Sequence, residues 1–156
     1  MSSLDQLFAR LTQRRFNDPR ITFAQLHLSL EENIARVHGQ ILDRADATAL
    51  LNELRTEAPT LTWQDATHAL IGGPDYSRAL VTRATVDVRR MPQDTAERVT
   101  QLVWGERCEI LSINAGNWAF VRAQDGYLGW AHAEALRRCA PHEARAWRDG
   151  ATHVVC

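Results

Sequence analysis

Between positions 80 and 131, short runs of strand-forming residues recur every 8–12 residues, and few folds accommodate that rhythm. The runs cover 80–88, 98–103, 107–113, 117–123 and 127–131. Turn formers separate them: Pro92, Gly105, Asn114-Ala115-Gly116-Asn117 and Asp125-Gly126. This rhythm suggests a small antiparallel barrel. Residues 141–149 read as a last helical turn.

The rhythm begins only after Gly72-Gly73-Pro74-Asp75, the strongest break in the chain, and a domain boundary is expected there. Before it the pattern is different. Leu4, Leu7, Phe8 and Leu11 lie on one face of a short helix over 3–15, which Asn17-Asp18-Pro19 stops. In residues 21–30, Ala24, Leu26, Leu28 and Leu30 alternate with Gln25, His27 and Ser29, the period of a half-buried strand. Glu31-Glu32-Asn33 turns the chain into a second strand over 34–41, giving a hairpin. Asp43 is suited to cap a helix over 44–57 whose stripe is Ala47, Leu50, Leu51 and Leu54. Pro59 ends that helix, and a short strand follows within 61–71. The expected fold class is α+β. A β-β-α-β unit with its N-terminal helix occupies 1–72, a small antiparallel barrel of five or six strands 76–138, and a tail 139–156.

With 156 residues, 45% apolar and 24% charged, the chain can bury a core without disulfides or metal. A net charge of −1 provides no basic field to recruit nucleic acid or anionic lipid. All 18 basic residues are arginine, a hint of GC-rich coding. The three cysteines, Cys108, Cys139 and Cys156, cannot all pair internally. The N-terminus lacks a basic start followed by an apolar run, and no stretch approaches 18 apolar residues. A cytoplasmic setting with reduced thiols and no membrane partner is therefore expected.

The second half carries Asp87-Val88-Arg89-Arg90-Met91-Pro92, then residues 96–106 (AERVTQLVWGE), Gly116-Asn117-Trp118-Ala119-Phe120-Val121-Arg122, and Asp125-Gly126-Tyr127-Leu128-Gly129-Trp130. On these motifs it resembles the bacterial SH3-like domain found ahead of NlpC-type cysteine peptidases. The first half is similar in pattern to the BON-like β-β-α-β segment that precedes this domain in some members. It shares the Asp-Pro-Arg opening, the glycine in the second strand and the Leu-rich helix. In such proteins a catalytic domain with a Cys-Ser-Gly nucleophile motif follows. The sequence contains no Cys-Ser-Gly. The resemblance therefore implies the amino-terminal part of a murein-peptide endopeptidase without its catalytic half. This chain would itself be non-catalytic and need no cofactor. Its partners would be murein-derived peptides and a peptidase domain.

The resemblance also implies a site. In family members that act on free murein peptides, an acid and a tyrosine of the SH3-like domain hold the amino terminus of L-Ala-γ-D-Glu-diamino-acid peptides. By motif position these are Glu97 and Tyr127, with Ala96 standing where a serine often precedes the acid. A desolvated ammonium needs such a carboxylate partner. Read from the residues alone, Glu97 is equally a solvated loop acid and Tyr127 a barrel aromatic. Trp118 is a ligand platform or a core residue, and Trp130 is expected to fill the core. Trp104, beside Gly105, is expected at a partly exposed turn. Arg89 suits a structural ion pair or carboxylate recognition. His132 is expected at the surface or at a domain contact, and Cys108 as a small core hydrophobe.

Cys139-x-x-His142 and His153-x-x-Cys156 have the short spacing of zinc-ligand pairs. Pro141 inside the first pair and the terminal position of the second argue against a metal site. No base or orienting group is placed beside any one thiol, as a cysteine nucleophile requires. The alternative from another class is a protein-interaction module without a small ligand, which the fold alone does not exclude.

Overall fold

The computed structural model describes residues 3–140, 142–143 and 146–147. The chain divides into two compact units between Gly73 and Pro74.

The first unit runs α1 (Ser3–Arg15), β1 (Ala24–Glu31), β2 (Ile34–Ile41), α2 (Arg44–Glu57) and β3 (Thr62–Ala69). β1 and β2 form an antiparallel hairpin, and β3 joins β2 in parallel after the α2 crossover. The Asp43 side chain caps α2, accepting from the backbone amides of Ala45 at 2.7 Å and Asp46 at 3.1 Å. One face of the sheet is covered by both helices. Phe8 and Leu11 of α1 and Leu50, Leu51 and Leu54 of α2 meet Ala35, Val37 and Trp63 in a single buried cluster. Each large side chain buried there contributes roughly 1.5–3 kcal/mol. Arg14 and Arg15 of α1 both bond Glu53 of α2, tying the helices together at their solvent edge. Gly39 of β2 has φ +120°, and a Cβ there would come within 2.1 Å of the Gln25 carbonyl oxygen. Only glycine fits that close strand approach.

The second unit holds β4 (Ser77–Val81), β5 (Thr85–Arg89), β6 (Arg98–Val103), β7 (Arg107–Ile113), β8 (Trp118–Ala123), β9 (Leu128–His132), a short 3-10 turn (Ala133–Ala135) and β10 (Leu136–Cys139). They form one antiparallel sheet in the order β10-β4-β7-β8-β9-β5-β6. The expected closed barrel of five or six strands is corrected in two ways. The run 80–88 is broken at 82–84, where the chain leaves β10 and β7 to join β9 and β6. Residues 136–139, which show no period of two, form β10 and extend the opposite edge. The sheet is open, with β10 and β6 at its two ends. It still curls around one core, because Leu102 of β6 and Leu136 of β10 belong to the same buried cluster.

That core is built from small residues. Ala79, Ala119, Ala123, Ala131 and Ala135 pack with Val81, Val86, Val88, Val121, Ile110 and Cys108. Gly129 makes the curl possible where β9 meets β5, since a Cβ there would lie 2.6 Å from Val88 Cγ1 and 2.7 Å from the Arg89 carbonyl oxygen. Among the described residues no helix is long and apolar enough to cross a membrane.

Candidate functional site: an aromatic face outside the core

Ala119, Val121 and Ala131 point into the core of the second unit. The period of two therefore places Trp118 and Phe120 of β8, and Trp130 and His132 of β9, on the opposite, outward face. They pair across the strands. The Trp118 and His132 rings lie 3.9 Å apart between centroids, and the Phe120 and Trp130 rings 5.1 Å. The Asn114 side chain accepts from the amides of Gly116 and Trp118, both at 3.0 Å, and so fixes where β8 begins.

The expectation that Trp130 fills the core is overturned. A core lined by five alanines has no volume for an indole, and overpacking would cost about 1–3 kcal/mol. Trp130 is half-buried on the outward face, while Trp118 lies on the same face and is buried. Cys108 does sit in the core, and burial pushes its thiol up to about 12.

The loop 90–97 between β5 and β6 borders this face. Arg89, the last residue of β5, pairs with Trp130 in the sheet. Its guanidinium bonds Asp87 at 2.7 Å and donates to the Ala96 carbonyl oxygen at 2.7 Å, so its fork is engaged within the protein. Asp87 also accepts from Gln101 at 2.9 Å and lies 3.6 Å from Arg98. The Asp94 carboxylate accepts a hydrogen bond from His132 Nε2 at 2.9 Å. Asp87, Arg89, Asp94, Arg98 and His132 line a shallow cavity of about 330 Å³.

Glu97 closes the loop. Its carbonyl oxygen accepts from the Arg90 amide at 2.9 Å. Its side chain is exposed and makes no hydrogen bond or ion pair among the described residues. Tyr127 is half-buried at the turn between β8 and β9, its amide held by the Asp125 side chain at 3.0 Å. The antiparallel register Arg89↔Trp130 carries Arg90, and with it Glu97, toward the Leu128 end of β9, the end from which Tyr127 extends. Trp118 and His132 lie at the far end of that strand. The loop's bonds thus hold Arg89 through Ala96 and His132 through Asp94, whereas Glu97 is held only through its backbone and Tyr127 stands about 10 Å along the strand from Trp130. Asp94 had no sequence signal, and Asp87 and Phe120, although inside the family-like motifs, were not singled out as site residues. Strand register brings Asp87 and Phe120 to this face, and the bond to His132 brings Asp94.

Trp104 is 60% exposed and meets Trp147 edge-on, with ring centroids 5.2 Å apart. Among the described residues no group of three or more His, Cys, Asp or Glu side chains could hold a metal ion. Cys139 is buried while His142 is exposed, and His153 and Cys156 lie outside the described residues.

No curated protein matches the chain. Two solved structures share a slight likeness. NlpC2 from Trichomonas vaginalis is 14% identical, with a TM-score of 0.37, over 40% of this chain and 23% of that one. NlpC1 from the same organism is 18% identical, with a TM-score of 0.37, over 40% of this chain and 22% of that one. The chain therefore spans under a quarter of the length of either. Residues 88–136, from the end of β5 to the start of β10, match the family described as the bacterial dipeptidyl-peptidase Sh3 domain.

Proposed function

We propose that the second unit is a peptidase-associated recognition module for murein-derived peptides and acts beside an NlpC-type catalytic domain. The observation that carries this reading is Glu97. It presents an exposed carboxylate, unengaged among the described residues, at the end of a loop that borders an aromatic face excluded from the core. A peptide ammonium docked there gains a charge-assisted bond. Trp130 offers its ring to the peptide's apolar atoms, and Tyr127 stands at the same end of β9. Arg89, committed to Asp87 and Ala96, acts as the brace of the loop rather than as a carboxylate receptor. A stem peptide still attached to glycan has no free ammonium and loses the Glu97 contact, which sets the specificity. The catalytic domain supplies the bond cleavage.

The test is an NMR titration of the ¹⁵N-labelled chain with L-Ala-γ-D-Glu-L-Lys and with its N-acetylated form. Shifts at residues 90–97 and 127–130 that disappear on acetylation and in Glu97→Gln support the reading. Equal shifts with both peptides, or none at millimolar peptide, overturn it.

Exposed Trp104 and Val103 favour a second reading, a protein-interaction surface beside the β6–β7 turn. In that case Trp104→Ala abolishes partner capture while the peptide titration is unchanged.

A further inference from the structure

A second cavity, of about 490 Å³, opens on the outward face of β4, β7 and β8, away from the loop 90–97. Its polar lining is Arg78, Arg107, Glu109, Arg122 and Gln124. The register explains the cluster. Arg78 is opposite Glu109, and Glu109 is opposite Arg122, so three strands present one charged row. Arg107 stands two residues before Glu109 on the same face of β7. Three guanidinium groups against one carboxylate leave two positive charges in excess.

The single carboxylate is already engaged. Glu109 accepts from Tyr76 Oη at 2.6 Å and from Arg122 Nε at 2.6 Å. It therefore neutralises Arg122, while Arg78, hydrogen-bonded to the Tyr76 hydroxyl, and Arg107 have no carboxylate partner of their own among the described residues. Ten described arginines reach a carboxylate elsewhere in the chain or in this row. Arg78 and Arg107, like Arg36, Arg55, Arg90 and Arg138, reach none among the described residues, and these two line the same cavity. Two planar forks and the Gln124 side chain lining one cavity suit a ligand whose oxygens accept several N–H bonds at once. The cavity is of the size that takes a small molecule or the end of a peptide.

We infer that this cavity is a binding site for a small dianion, held chiefly by Arg78 and Arg107 and positioned by the Tyr76–Glu109–Arg122 row. Two sources carry that chemistry: a phosphoryl group, or a pair of carboxylates on one ligand.

The test uses the full ¹⁵N-labelled chain titrated separately with inorganic phosphate and with succinate, each against chloride at matched ionic strength. Saturable shifts at the amides of Arg107, Glu109, Arg122 and Gly126 are expected with at least one dianion and not with chloride. Arg107→Gln should weaken that binding about tenfold. Arg78→Gln, at an exposed position where folding is not at stake, should weaken it similarly. Arg36→Gln, the same charge loss in the first unit, should leave it unchanged. A stronger response to phosphate identifies a phosphoryl ligand, and a stronger response to succinate a dicarboxylate. Linear shifts matching those of chloride, or undiminished binding in Arg78→Gln, overturn the site.

Discussion

His132 donates from Nε2 to the Asp94 carboxylate at 2.9 Å while its ring lies tilted against that of Trp118, 3.9 Å between centroids, so one side chain links the loop 90–97 to the aromatic face. The loop has few other ties. The Arg89 guanidinium reaches the Ala96 carbonyl oxygen, and the Arg90 amide reaches that of Glu97.

Asp94→Ala should therefore loosen the loop without unfolding the unit, because an exposed pair of this kind adds little to global stability. Hydrogen exchange checks this. The amides of Gln93 and Ala96 should exchange faster while those of β8 keep their protection. Unchanged exchange in the loop would show that Asp94 is dispensable.

Gly129→Ala should be among the most damaging single-methyl changes in the second unit. The added Cβ meets Val88 Cγ1 and the Arg89 carbonyl oxygen, and the latter is backbone that cannot step aside cheaply. A loss of about 1–3 kcal/mol is expected in urea unfolding. It should come with lost shift dispersion at Arg89 and Trp130, the β5–β9 pair. A variant as stable as the parent would mean that β5 and β9 are not closely paired in solution.

Bonds from Arg15 and then Arg14 hold the Glu53 carboxyl below its usual range. A carboxyl whose folded pKa is depressed stabilises the fold above its unfolded pKa, and that contribution is lost as pH falls through the folded value. Glu53→Gln should lower the stability of the first unit at pH 7. The gap to the parent should close as the pH drops below about 4. Thermal melts across that range read the effect. A gap independent of pH would assign the loss to packing between α1 and α2 rather than to charge.

The Cys108 thiol, pushed up to about 12 by burial, is essentially all protonated at pH 8. Burial raises Cys139 as well. Thiol reagents should therefore modify Cys108 in the native chain only as fast as the core opens. Mass spectrometry after timed labelling distinguishes the sites. Rapid native labelling of Cys108 would contradict its place in the core.

Local patterns that carry their own physics were legible in the sequence. The period of two in β1, the leucine stripe of α2 and the Asp43 cap each depend on residues within one turn or one strand. The turns on which Glu97 and Tyr127 sit were legible too, written in Pro92, Asp125 and Gly126, whereas their pairing as a site came only from the family resemblance. β10 was not, since Leu136-Arg137-Arg138-Cys139 has neither length nor alternation and becomes a strand only because β4 offers it an edge.

The tertiary structure alone decided which way the aromatic residues face. Alternation says that Trp118 shares a side with Phe120, and Trp130 with His132, but neither that the two pairs face the same way nor which side is the core. Five alanines on the other side settle it by volume. The same holds for charge. Arg78, Glu109 and Arg122 are ordinary surface residues in sequence, and only the register across β4, β7 and β8 makes them a row. Sequence fixes what neighbours along the chain can do, whereas a site needs partners from separate strands, and those are assigned by packing.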